Sequence, residues 1–399
     1  MSDTMRVSIG PRPPADTPNP GPALSDLSGG WTAETWLGAP APGGLALPAA
    51  NPTMAWMYSP RGVFLDREHL VVADSGNHRV LIWHGVPTAD EQPADVVLGQ
   101  PDGTTEGRAA DGRGPERGMN LPTGVLVHDG RLAVADAWHH RILIWNTVSR
   151  ASDQAPDLIL GQPDPASVGA NRGGAQDGVR CTAGSLYWPF GIAVADGWFW
   201  VADTGNRRVL GWDGGLPDRD RPADVVLGQP EATRRGENRD RGVGPDSFRW
   251  PHGVAGTDGL LLVADAGNHR VLGWRPRPDR DRPADLVLGQ PDFDTAAEWP
   301  FGPHSGDRLR FPYSVALEGG RLAVADTADN RILLWDRVPG HGQAADHVLA
   351  QPTFAANGEN RWSSVQRDTL SWPYGISMHG DRLAVADSGN NRVLIWGRH

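Results

Sequence analysis

The sequence contains no lysine, so all 37 of its basic residues other than histidine are arginines. That absence excludes a Schiff-base lysine and the phosphate-gripping lysine of a P-loop. Cysteine is almost missing as well. The single Cys181 cannot close an internal disulfide, which fits a reducing cytoplasm. No apolar run approaches the roughly 18 residues of a membrane-crossing helix. Residues 1–30 show neither the apolar core nor the cleavage pattern of a secretory leader. Positive charge is also short, with 48 acidic residues giving a formal net charge of −11. This is the wrong sign for coating a phosphate backbone, so nucleic acid is an unfavoured partner.

Turn residues are plentiful instead. The 51 glycines and 35 prolines suit a fold of many short strands and poorly suit long helices. A repeat then fixes the class. Val-Ala-Asp followed by Arg-(Val/Ile)-Leu-x-Trp occurs six times, with its aspartate at Asp74, Asp136, Asp203, Asp265, Asp326 and Asp387. Successive aspartates are 62, 67, 62, 61 and 61 residues apart. Each unit opens with Pro-x-Gly-Val or a close variant, as at Pro60 to Val63. An apolar strand such as Leu70 to Asp74 follows, then the turn Ser75-Gly76-Asn77-His78, a strand from Arg79 to Trp83, and another from Asp95 to Gln100.

Runs of Val, Ile, Leu and Trp bounded by Gly, Pro, Asn and Asp read as strands. The third strand is apolar at nearly every position, as a strand sandwiched between neighbouring sheets would be. Gly-Asn in the turn is expected to supply the positive φ of a tight hairpin. The repeated aspartates, with Arg79, Arg141, Arg208, Arg270, Arg331 and Arg392, are read as structural partners.

Six units of four strands make an all-β, six-bladed β-propeller of antiparallel blades. Closure is legible too. The last unit ends its third strand at Trp396 and lacks a fourth, whereas Ala33 to Pro40 has the spacing of Ala94 to Pro101. A strand at about residues 33–39 should therefore complete the C-terminal blade. Residues 31–399 form one propeller in this reading. Residues 1–30, rich in Pro, Gly, Ser and Asp, read as a disordered tail.

The Pro-x-Gly-Val opening and the Val-Ala-Asp-x-x-Asn-x-Arg-(Ile/Val) centre resemble the NHL repeat family, from about Trp31 to Trp396. The resemblance implies the fold but leaves function open, since such propellers include protein scaffolds, RNA-binding modules and enzymes such as amidating lyases. The amidating lyases' set of metal-holding histidines with an acid is not reproduced, and neither is the carboxylate-rich metal centre of lactonase-like propellers.

A site is expected on the face that carries the long loops 101–122, 163–189, 230–251, 291–312 and 352–373 together with the short turns. The residue after each opening proline should ring the channel there: Arg61, Thr123, Phe190, His252, Tyr313 and Tyr374. This position varies inside an otherwise fixed template, as a ligand surface would. Trp138, Trp188, Trp250 and Trp372 add a hot-spot composition, as do loop arginines such as Arg234, Arg235, Arg239, Arg241 and Arg361. The adjacent His139 and His140 read with Trp138 as an exposed contact patch rather than a metal site. His78 and His269 read as solvated.

The main reading is a non-catalytic cytoplasmic binding scaffold for a protein partner, with no catalytic residue, metal or cofactor assigned. The alternative is a small-molecule enzyme, lyase-like or hydrolase-like, using Arg61, His252, Tyr313 and Tyr374 at the channel mouth. An RNA-binding module is the third.

Overall fold

The computed structural model describes residues 27–39, 51–173, 180–298 and 304–399. Twenty-four strands, numbered β1–β24 in chain order, make six four-stranded antiparallel sheets. The first blade holds β2 (Gly62–Leu65), β3 (His69–Asp74), β4 (Arg79–His84) and β5 (Val96–Leu98). The next four repeat it. The sixth is ordered β1-β24-β23-β22, with β1 at Trp31–Gly38, β22 at Pro373–His379, β23 at Arg382–Asp387 and β24 at Arg392–Arg398. The N-terminal strand therefore closes the ring, antiparallel to β24 with Trp36 opposite Leu394. Pro40, the last residue of the closing motif, lies outside the described residues. So do residues 1–26 of the expected tail. Residues 27–30 form a turn, Leu27 packs against the core, and the His399 amide donates to the Gly30 carbonyl.

The strands pack because neighbouring blades share their apolar faces. Buried residues gather into six clusters, each spanning one seam between adjacent blades. Third strands are buried on both faces, as their unbroken apolar sequence requires: in β4, Arg79 to Trp83 are all buried. Each fully buried Leu, Ile or Trp there contributes about 1.5–3 kcal/mol.

Glycine after the ring residue lets blades meet at the axis. A Cβ at Gly62 would stand 1.6 Å from the Thr123 carbonyl oxygen, and one at Gly191 2.2 Å from that of His252. The fifth blade has Ser314 there, whose hydroxyl accepts the Ile376 amide at 3.3 Å.

The turns correct one expectation. Gly76 and Asn77 belong to a single turn of 3-10 helix, and the left-handed residue is the next one, His78 at φ 55°. The same holds at His140, Arg207, His269, Asn330 and Asn391. The turn ends like a helix, with a left-handed cap, rather than as a two-residue hairpin.

Each repeated aspartate lies wholly buried at its turn and meets its arginine Nε at 2.6–3.0 Å. The other oxygen accepts a backbone amide from the entry to the same blade, Tyr58 for Asp74 and Arg249 for Asp265. The arginine then donates to the carbonyls of the flanking loops. Arg208 reaches Ala232, Thr182 and Ser185, and Arg270 reaches Phe293, Gly244 and Ser247. A buried guanidinium with five donors thereby fastens two loops to the frame. The glutamine after the fourth strand adds a further staple that the sequence did not disclose. Gln100, for example, donates to the carbonyls of Asn77 and Gly107.

Candidate functional site

The long loops and the short turns share one face, as the staples between them require. On it, five of the six ring residues form a continuous row of contacts, the stack, in which His252 and Tyr313 are parallel and the other rings are tilted. Phe190 and His252 have centroids 4.4 Å apart, His252 lies flat on Tyr313 at 4.4 Å, and Tyr313 meets Tyr374 at 4.6 Å. The Arg61 guanidinium lies over the Tyr374 ring at 5.2 Å. Thr123 does not join them. It is buried, and its hydroxyl donates to the carbonyls of Pro189 and Phe190.

A cavity of about 570 Å³ opens above this stack, off the axis, toward the seam between the third and fourth blades. Trp138, Tyr187, Trp188 and Trp250 wall it, and Arg207 and Arg235 border it. A narrow space of about 80 Å³ lies beneath, lined by all six ring residues, Thr123 included, and by the first strands. The stack is thus the floor of one space and the roof of the other. Trp188 bridges Trp138 (5.3 Å) and Tyr187 (4.9 Å), and Arg249 stacks on Trp250 at 5.0 Å. Trp372 is exposed on the same face but stands outside the cavity. Trp299 lies outside the described residues.

Electrostatically the cavity is one-sided. Arg61, Arg207 and Arg235 line it with no aspartate or glutamate among the lining residues. Within the described residues none of the three forms an ion pair, and the buried Nε atoms of Arg61 and Arg207 have no partner. Burial holds His252 down to about 4, so its imidazole is neutral at pH 7. Its Nδ1–H donates to the Trp250 carbonyl at 2.9 Å, which leaves Nε2 as an acceptor. Burial, and next to it Tyr374, push the Tyr313 phenol well above its usual range.

Several expected contact residues serve the frame instead. His139 is buried where most blades have asparagine, with Nδ1 on Asp136 at 2.9 Å. His269 is buried and His78 and His140 are partly buried, and all three serve the frame. Each takes the backbone amide of the next blade's entry on its Nδ1: Leu121 at 3.1 Å, Trp188 at 3.2 Å and Phe311 at 3.2 Å. Burial holds His140 and His269 at about 4, which keeps that nitrogen a free acceptor. Arg239 is largely buried between Asp246 and Asp281, Arg241 pairs with Asp246, and Arg361 pairs with Asp368. Only Trp138 of the Trp-His-His set is exposed.

Sequence reading missed Arg207 as a site residue. The signal was present, because the fourth turn position is His or Asn in every other blade.

The NHL repeat family model matches residues 248–274, from the entry of the fourth blade to its third strand. NHL repeat-containing protein 2 of Gallus gallus is 26% identical over 360 residues, covering 82% of this chain. The chain spans 44% of that relative's length. Solved structures similar in outline include the WD40 β-propeller domain of Doa1, 11% identical at a TM-score of 0.49 over 93% of this chain and 98% of that one. A virginiamycin B lyase of Staphylococcus aureus is 11% identical at a TM-score of 0.42 over 87% and 97%. Six copies of one template, the family match on one of them and the closed ring together make this chain an NHL-repeat six-bladed β-propeller.

Proposed function

We propose that this propeller is a non-catalytic binding scaffold that holds a protein partner on its loop-bearing face. One observation carries the reading. Every large apolar side chain left exposed among the described residues lies on that face: Tyr58, Trp138, Val168, Trp250, Trp362 and Trp372. Trp362 is 82% exposed. Tryptophan mixed with arginine is the composition of interface hot spots. Placement in the cytoplasm belongs to the same proposal and rests on the lone thiol. Cys181 is buried against the Arg234 carbonyl, where burial raises its pKa.

The test is capture of partners from the native cell by the wild type and by a Trp138→Ala, Trp362→Ala, Trp372→Ala triple variant. A stoichiometric protein retained only by the wild type supports the scaffold. Identical capture by both would remove this face from the reading.

A small-molecule function at the channel mouth is the second reading, favoured by the convergence of Arg61, His252, Tyr313 and Tyr374 in the floor of the cavity. Its chemistry is limited. An imidazole held near 4 and a phenol held above its normal range are poorly matched to general acid–base work at pH 7. The same groups suit binding.

A further inference from the structure

We propose that the cavity at the seam between the third and fourth blades is a binding site for a flat, negatively charged group, such as an aromatic carboxylate. A latch repeats around the ring. At five seams the residue before the opening proline is left-handed: Ser59, Leu121, Trp188, Phe311 and Trp372, all at φ 48–50°. Its amide is held by the preceding blade's fourth turn residue, respectively Asn391, His78, His140, His269 and Asn330. At the sixth seam that turn residue is Arg207. A guanidinium has no acceptor, so it cannot take the amide of Trp250.

The backbone there differs accordingly. Trp250 is not left-handed, and its carbonyl accepts the amide of Ala266, one position along from the bond made in the other five blades. The cavity extends from Trp138 and Trp188, at the latched seam before the third blade, to this seam, where it is bordered by the residue that replaced the latch.

Its chemistry specifies the ligand. Arg207 and Arg235 stand on one side and Arg61 on the floor, with no carboxylate partner within the described residues. Three unneutralised guanidiniums in an otherwise acidic chain favour an anion, and Arg matches carboxylate geometry two bonds at a time. Trp138, Trp188 and Trp250 give flat apolar walls for a planar ring, and the stacked His252–Tyr313 pair lies in the floor beneath it. A volume of about 570 Å³ lies within the range of ordinary ligand pockets. The charged ring can belong to a free aromatic acid or to the terminal carboxylate of a chain ending in an aromatic residue. The site stands whether or not a protein covers the rest of the face.

Calorimetric titration of the full chain distinguishes these sources. The probes are 2-naphthoate for a free acid, N-acetyl-tryptophan for a chain terminus, and their neutral amides as controls. At least one acid should bind about tenfold or more tighter than its amide, and Arg207→Gln or Arg235→Gln should each weaken it by about tenfold. Arg280→Gln, far from the cavity, should leave it unchanged, and binding should weaken as salt rises. Tighter naphthoate points to a small molecule, and tighter acetyl-tryptophan to a chain end. Thermal melts of each variant separate lost binding from lost folding. Absence of binding by either acid, equal binding of acids and amides, or affinity unmoved in folded Arg207→Gln and Arg235→Gln would overturn the assignment.

Discussion

Five seams of this propeller and the sixth are built from the same template, yet they end differently. At the five, a histidine or asparagine holds the strained amide of the next blade. At the sixth, Arg207 holds nothing of Trp250, and a cavity opens instead. The contrast separates two kinds of residue in a repeat protein. Positions that never change, such as the Asp–Arg pairs, hold every blade to its loops. A position that changes once, at the right seam, gives up a local bond and leaves room and charge for something else.

Substitutions at the frame and at the latches should separate these two roles. The largest effect is expected from the shared frame. Asp203→Ala strands the fully buried Arg208 guanidinium and should cost about 3–5 kcal/mol in chemical denaturation. Acid should next distinguish the latches. His269 has its pKa lowered to about 4, below the unfolded value. Its contribution is therefore full at pH 7 and is lost as pH falls from about 6.5 to about 4. His269→Asn keeps an acceptor at a left-handed position, as Asn330 and Asn391 do, but does not titrate. It should be more stable than the wild type at pH 5 by roughly 2 kcal/mol relative to their difference at pH 7, by urea denaturation. Parallel pH profiles for the two proteins would break the latch account.

Removing a latch outright should cost less. His269→Ala leaves the Phe311 amide without its acceptor, for about 1–2 kcal/mol. Arg207→Ala removes no latch and should stay within about 0.5 kcal/mol of the wild type. The smallest effect should be a gain. Arg207→His supplies the missing acceptor and should add about 0.5–1 kcal/mol while narrowing the cavity, read as a raised melting temperature.

Several features were legible because they depend on local pattern. The Val-Ala-Asp…Trp repeat places every second and third strand, and the mismatch between the Trp396 end and the Ala33–Pro40 segment predicts closure by β1. The ring of residues after the prolines was also readable, since blade geometry puts equivalent positions at equivalent places. Legibility failed where a side chain acts on a different blade. Nothing near His78 or His140 in sequence says that each nitrogen takes an amide about 45 residues away. The two were read as exposed for that reason. Loop arginines failed likewise, because Arg239 is neutralised by Asp281, 42 residues on.

The six-bladed ring, its closure and the face that carries the long loops follow from local sequence alone. Strand periodicity, turn residues and the Asp–Arg pairing all act within one repeat, and repetition multiplies a weak signal sixfold. Packing between blades decided that five ring residues meet in a floor, that Arg207 and Arg235 join Arg61 there with no carboxylate among the described lining residues, and that one seam is unlatched. Those outcomes depend on distances between blades. Such distances are set by packing across the seams and are written in no single repeat.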